Sequence, residues 1–141
     1  MRYLDANLFI YAALSPDSEE IGISSRYILE RVFGSHLNAA TSSLTWDEVV
    51  WAIRKLEGVE VASLEGGRFL SFPKLTILNV SESTVNRAQA LLKTYGLKPR
   101  DAIHAACCME NGIDEIISDD SDFDDVKGIK RIEIKKAAKM F

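Results

Sequence analysis

Residues 115–122 read Glu-Ile-Ile-Ser-Asp-Asp-Ser-Asp, a short apolar strand that runs straight into three carboxylates, Asp119, Asp120 and Asp122. The arrangement recurs at the start of the chain, where Asp5 follows Arg2-Tyr3-Leu4. Asp101 opens a small-residue helix after Lys98-Pro99-Arg100, and Glu48 lies on an amphipathic stretch after Ala39-Ala40-Thr41. In an open α/β sheet the carboxyl ends of parallel strands share one edge, and sites form there. Carboxylates gathered at that edge repel one another. A hard divalent cation such as Mg²⁺ would hold them, because it takes oxygen ligands and keeps positions open for water and phosphate.

Outward from these stations the chain alternates between strand and helix. Tyr3-Leu4 is a short strand leading into a helix from about Asn7 to Leu14. Pro16-Asp17-Ser18 breaks that helix and caps a second one running toward Phe33. Leu37 to Thr41 is a weak strand. Trp46, Val49-Val50 and Ile53 mark a helix ending near Gly58, and Val59 to Phe72 is a further helix stopped by Pro73. Leu75 to Val80 alternates and carries β-branched residues, as a strand does. Ser81 or Ser83 caps a helix closed by Gly96. Asp101 to Met109 is helical, Ile116-Ile117 and Ile129 to Ile134 are the last strands, and Lys135 to Phe141 reads as a basic tail. The alternation predicts an α/β fold, a mostly parallel central sheet flanked by helices, over a single domain spanning 1–141.

Composition fits that class. A chain of 141 residues, 47% hydrophobic and 27% charged, is ordinary for a globular protein. At this length roughly 70% of the unfolded surface is buried. A net charge of −4 argues against coating nucleic acid by bulk charge, but not against a nuclease whose carboxylates are neutralised by metal. Cys107 and Cys108 are helix neighbours with no spaced partners, so neither a disulfide framework nor a zinc site is supported. Asp5 and Asn7 interrupt the apolar run near the N-terminus, and no stretch is long enough to span a bilayer, which leads to the expectation of a cytoplasmic protein.

Each acidic station also has a structural reading. Asp5 can cap the helix after it. Thr45-Trp46-Asp47-Glu48 fits a capping box, in which Glu48 reaches back to the N–H of Thr45, and local grounds favour that role. Asp47 reads as solvated. Asp101 suits the first turn of a helix through the macrodipole. His104, one turn later, reads as a packed or hydrogen-bonded helix residue rather than a metal ligand. The acidic loop is not an EF-hand, since a register from Asp120 puts Asp125 at the required glycine and Arg131 at the bidentate Glu. Asp124 and Asp125 are expected to be merely solvated.

Taken together, YLDANLFIYA at 3–12, Glu48, PRDAIHAA at 99–106 and IISDDSDF at 116–123 resemble a PIN-domain ribonuclease, nearest to the VapC-type toxins of toxin–antitoxin pairs. The resemblance runs from Met1 to about Ile134. It implies a PIN-like three-layer sandwich, metal-dependent endonucleolytic cleavage of RNA, Mg²⁺ with Mn²⁺ as substitute, a homodimer, and a cognate antitoxin that blocks the site. On it, Asp5, Glu48, Asp101 and Asp120 fall on the catalytic and metal-binding acids. Asn7 and Ser118 fall on supporting positions, and Asp122 on an accessory acid. Which of Asp119, Asp120 and Asp122 reaches the metal stays open. Metal ions held in this way activate water, orient the phosphate and stabilise the leaving oxygen.

Lys98, Arg100 and the tail lysines are candidate phosphate contacts, with solvated surface charge as the simpler reading. An aspartyl-nucleophile phosphatase or phosphotransferase on a related sheet is the runner-up, but it wants a second Asp where Asn7 stands. A catalytically inactive interaction module is a third class. Trp46, Trp51, Phe69 and Phe72 would supply its apolar surface, although aromatics at such spacing usually belong to a core.

Overall fold

The strands of this chain are all short, and the three central ones are buried on both faces, which dictates a sheet covered by helices on each side. The computed structural model describes residues 1–141. Its elements are β1 (Arg2–Leu4), α1 (Ala6–Leu14), α2 (Glu20–Phe33), β2 (Ala39–Ser42), α3 (Ser43–Glu57), α4 (Val59–Leu70), β3 (Leu75–Leu78), α5 (Glu82–Tyr95), α6 (Pro99–Glu110), β4 (Glu115–Ile117), β5 (Lys130–Ile132) and α7 (Ile134–Met140), with a 3-10 turn at Ser121–Asp125. The five strands form one sheet in the order β3-β2-β1-β4-β5, and each neighbouring pair is parallel.

The register follows from side-chain alternation. Tyr3 pairs with Ala40 on one side and Ile116 on the other. These three face Ala102, Ala105 and Ala106 of α6 and Leu91 of α5. Their neighbours Leu4, Ala39 and Ile117 turn to the opposite face, onto Leu8 and Phe9 of α1, Ile28 and Val32 of α2, and Val49 and Ile53 of α3. The result is the three-layer α/β sandwich expected from the alternation. Small residues on α6 let it lie close over Tyr3 and Ile116.

Topology places the site. The chain leaves β1 toward β2 and β3, then returns through α5 and α6 to add β4 on the other side of β1. The strand order reverses between β1 and β4, and the crevice at the carboxyl ends of those two strands is where an α/β sheet binds ligands. Asp5 directly follows β1, and Ser118-Asp119-Asp120 directly follows β4.

Four expectations are corrected. Helix α3 starts directly from β2 at Ser43, so Thr45 is already inside it, fully buried, with its hydroxyl 2.7 Å from that of Thr41. Glu48 therefore sits in the second turn, out of reach of any cap, and the capping box does not form. The N-cap of α2 is Glu19 rather than a residue of Pro16-Asp17-Ser18, with no side-chain cap bond. The final strand ends at Ile132, and the basic tail is helix α7, whose Ile134 and Ala137 are buried beside α2 while Lys135 reaches Glu20 at 3.3 Å. Asp124 is not merely solvated, because Arg131 donates to both of its oxygens, at 2.7 and 3.1 Å. The other helix signals hold: Ser81 and Thr84 form a reciprocal capping box, and Gly96 closes α5 with a left-handed φ of 66°.

Candidate active site

Asp5 is the N-cap of α1, and its Oδ1 accepts the Ala6 N–H at 2.7 Å. Its Oδ2 accepts the Ser118 hydroxyl at 2.6 Å, which joins the ends of β1 and β4. Asp5 thus caps α1 through one oxygen and joins the two strand ends through the other. Ser118 also accepts the Asp120 N–H at 2.9 Å and the Asn7 amide at 3.3 Å, so its hydroxyl donates once and accepts twice. Ser118 is fully buried and acts as the hub of the crevice.

Adjacent acids beyond β4 separate by direction. Asp119 Oδ1 accepts the Ile134 N–H at 3.0 Å and so holds the start of α7. Asp120 turns the other way, its Oδ1 accepting the Asp122 N–H at 2.9 Å. Carboxylate oxygens of Asp101, Asp120 and Asp122 all lie within 4.8 Å of one another. Asp101 enters from the first turn of α6, is 8% exposed, and its Oδ2 is buried with no hydrogen-bond partner.

Such crowding has a cost. Like charges about 5 Å apart repel by on the order of 3 kcal/mol at an effective dielectric near ~20. Burial, and then the charge of Asp120, push the Asp101 carboxyl up to about 7. Burial also raises Asp5, against the opposing pull of His104 and Ser118. The orphaned Asp101 oxygen, the converging carboxylates and the all-oxygen donor set fit a hard divalent cation.

Glu48 approaches from α3, where its Oε1 lies 2.5 Å from Nε2 of His104. Glu48, Lys98, Pro99, Arg100, Asp101 and Asp120 line a cleft of about 490 Å³. Lys98 and Arg100 stand at its edge with loose ion pairs, 3.7 Å to Asp122 and 3.5 Å to Asp47. The crevice therefore brings Asp101, Asp120 and Asp122 together, fixes Asp5, Asn7 and Ser118 beside them, and leaves Asp119 outside. Asp122 lies in the same carboxylate cluster as Asp101 and Asp120. The partners of His104 escaped sequence reasoning; their one signal is its position a single turn after Asp101 on α6. A separate apolar hollow of about 270 Å³, between Phe9, Ala13, Leu29, Val49, Ile53 and Phe69, shares no residue with the cleft.

The PIN domain profile matches residues 2–129. The chain belongs to the PIN-domain family. Its fold is similar to that of a toxin–antitoxin complex from Klebsiella pneumoniae, with 23% identity over 92% of this chain and 96% of that one and a TM-score of 0.65. It is also similar to VapC20 of Mycobacterium tuberculosis, described as a sarcin-ricin loop cleaving toxin, with 16% identity, coverage of 88% and 93%, and a TM-score of 0.71. VapBC2 from Rickettsia felis, solved bound to a fragment of its promoter DNA, gives 21% identity, coverage of 94% and 98%, and a TM-score of 0.69. No curated protein matches in sequence. No helix is long and apolar enough to cross a membrane.

Proposed function

We propose that this PIN domain, acting as one unit over 1–141, is a metal-dependent endoribonuclease and the toxin of a toxin–antitoxin pair. The observation that carries the reading is the buried, unpartnered Oδ2 of Asp101 beside Asp120 and Asp122. A buried carboxylate oxygen left without a partner is costly, and a cation is the partner that suits it. The family and the toxin–antitoxin structures of similar fold support the biological setting.

Asp101 and Asp120 are the principal ligands in this reading, with Asp122 completing the cluster and Asp5 bordering it. Glu48 is a ligand or water orienter. Ser118 and Asn7 hold the carboxylates of the crevice in place, as outer groups of metal sites do. Mg²⁺, or Mn²⁺ in its place, supplies Lewis-acid activation of water and charge stabilisation when bound. Lys98 and Arg100 draw the RNA backbone to the cleft edge, exchanging loose carboxylate pairs for phosphate. Acidic walls otherwise repel a polyanion, so the chain's own charge keeps nucleic acid out of the metal-free cleft.

The partners in this reading are a second copy of the chain, as a homodimer, and a cognate antitoxin that inserts Arg or Lys among the carboxylates. A cytoplasmic location agrees with such a role. The test is incubation of purified protein with RNA and with a phosphomonoester. Internal RNA cleavage that needs Mg²⁺ or Mn²⁺, stops with EDTA and disappears in Asp5→Asn is expected. Phosphomonoester turnover without RNA cleavage contradicts it.

A further inference from the structure

His104 is fully buried within the small-residue packing of α6, where an aliphatic side chain would ordinarily sit. A buried imidazole is tolerated when its nitrogens are hydrogen-bonded, and here both are engaged. Nδ1 lies 2.6 Å from the Tyr3 hydroxyl, with the two rings edge-to-face at 62°. Nε2 lies 2.5 Å from Glu48 Oε1 and 3.5 Å from Asp5 Oδ1. Two carboxylates facing one ring nitrogen accept only an N–H. The neutral ring accepts the Tyr3 O–H hydrogen bond on Nδ1 and presents Nε2–H; the charged ring presents Nε2–H as well. The donor at Nε2 is therefore independent of the ring's titration.

We propose that His104 is the positioning residue of the acidic cleft, an internal donor that holds Glu48 of α3 through Nε2–H and stands between it and Asp5, the residue after β1. The tie rests on the metal-dependent nuclease reading above. No other hydrogen bond or ion pair holds the Glu48 side chain. Without Nε2–H, Glu48 and Asp5 face each other unscreened at the crevice, and Glu48 is free to swing toward solvent. With it, one Glu48 oxygen is engaged and the carboxylate is aimed for work on the metal or its water. Tyr3 completes the tie from the far side by fixing the ring's rotation. His104 touches neither substrate nor the reacting atoms.

Two amide substitutions separate the ring's two ends. His104→Gln carries its amide to about the reach of Nε2, so it retains a donor for Glu48. His104→Asn reaches only the Nδ1 position, so it retains a partner for Tyr3 and loses Glu48. Metal affinity, measured by calorimetry with Mg²⁺ and Mn²⁺, should fall about 10–100-fold in Asn and in His104→Leu but much less in Gln. For RNA, kcat should drop with KM little changed in Asn, and Gln should recover most of it. In the wild-type protein the imidazole Nε2 proton should be visible by NMR as a hydrogen-bonded signal that shifts on Mg²⁺ addition and on Glu48→Gln.

A purely structural role for His104 predicts equal metal affinity in Asn and Gln, and that equality overturns the proposal. An Nε2 proton indifferent to Mg²⁺ and to Glu48→Gln overturns it without any substitution at His104. If the wild-type protein binds no metal and cleaves no RNA, the nuclease reading falls and takes this role with it. If the wild type does both while Asn and Gln behave alike, the positioning role alone is wrong.

Discussion

The Ser118 hydroxyl donates to Asp5 Oδ2 at 2.6 Å, which locks the first residue beyond β1 to the first residue beyond β4. The two strands are neighbours at the point where the sheet order reverses. One buried hydroxyl therefore links the topology of the fold to the geometry of the crevice. Ser118→Ala leaves an Asp5 oxygen and the Asp120 N–H without this partner, and a loss of about 1–3 kcal/mol is expected from chemical denaturation. Metal affinity should fall as well, by about tenfold or more. A variant with native stability and native affinity would show that the hub is dispensable.

The metal-free protein should become less stable as pH rises from about 5 to 8. Asp101 is pushed up to about 7 by burial and by Asp120, and burial raises Asp5 too. His104 is also raised, since Glu48, Asp5 and Asp101 outweigh the lowering effect of burial. In each case the folded state holds a proton that the unfolded chain releases at lower pH. The stabilising contribution is thus present below the unfolded pKa and lost as pH climbs through the folded one. Bound Mg²⁺ favours the ionised carboxylates, so its stabilising effect should grow over the same range. At a hundredfold excess over Kd the gain is about 2.7 kcal/mol, on the order of 10 °C in Tm. Melting curves in EDTA and in Mg²⁺ at pH 5 and pH 8 check the sign.

Much of this arrangement was legible in the sequence because it is local. Apolar strands running into carboxylates, Ser81 and Gly96 at the ends of α5, and the small residues after Asp101 are each written within a few positions. What escaped was set by distant contacts or by masked patterns. Helix α7 was hidden because Lys135, Lys136 and Lys139 dominate a segment whose Ile134, Ala137 and Phe141 keep helical spacing. The early start of α3 came from β2 passing into helix with no linker, so Thr45 became a core residue rather than a cap. Asp119 and Asp120 could not be told apart along the chain, since the turn beyond β4 decides which one meets Asp101 and which meets α7. The bonding of Glu48 to His104 spans 56 positions and has no local signature.

Glu48→Gln should leave metal-free melting close to native and reduce RNA cleavage by a hundredfold or more, roughly 3 kcal/mol of barrier. Glu48 caps nothing, so its charge matters to chemistry and not to helix α3. Thr45→Ala should do the reverse, because Thr45 is buried against Thr41 and far less engaged with the cleft. Normal cleavage by Glu48→Gln would remove Glu48 from the site.

Cys107 and Cys108 should resist thiol reagents in the folded protein at pH 8 and react once it is denatured. Both are buried against the sheet, and burial raises Cys107 to about 11 and Cys108 further still. Rapid labelling of the native state would mean that α6 does not lie closely on β1 and β4, and the position of Asp101 would lose its support.

The most direct measurement is calorimetric titration of Mg²⁺ and Mn²⁺ into the wild-type protein and Asp101→Asn at pH 8. The carboxylates of Asp101, Asp120 and Asp122 as a cation site predict saturable binding by the wild type and at least about tenfold weaker binding by the variant. Asp101→Asn should also melt higher than wild type without metal, since it removes a buried charge beside Asp120. Absence of binding in the wild type, or equal affinity in both proteins, would contradict the site.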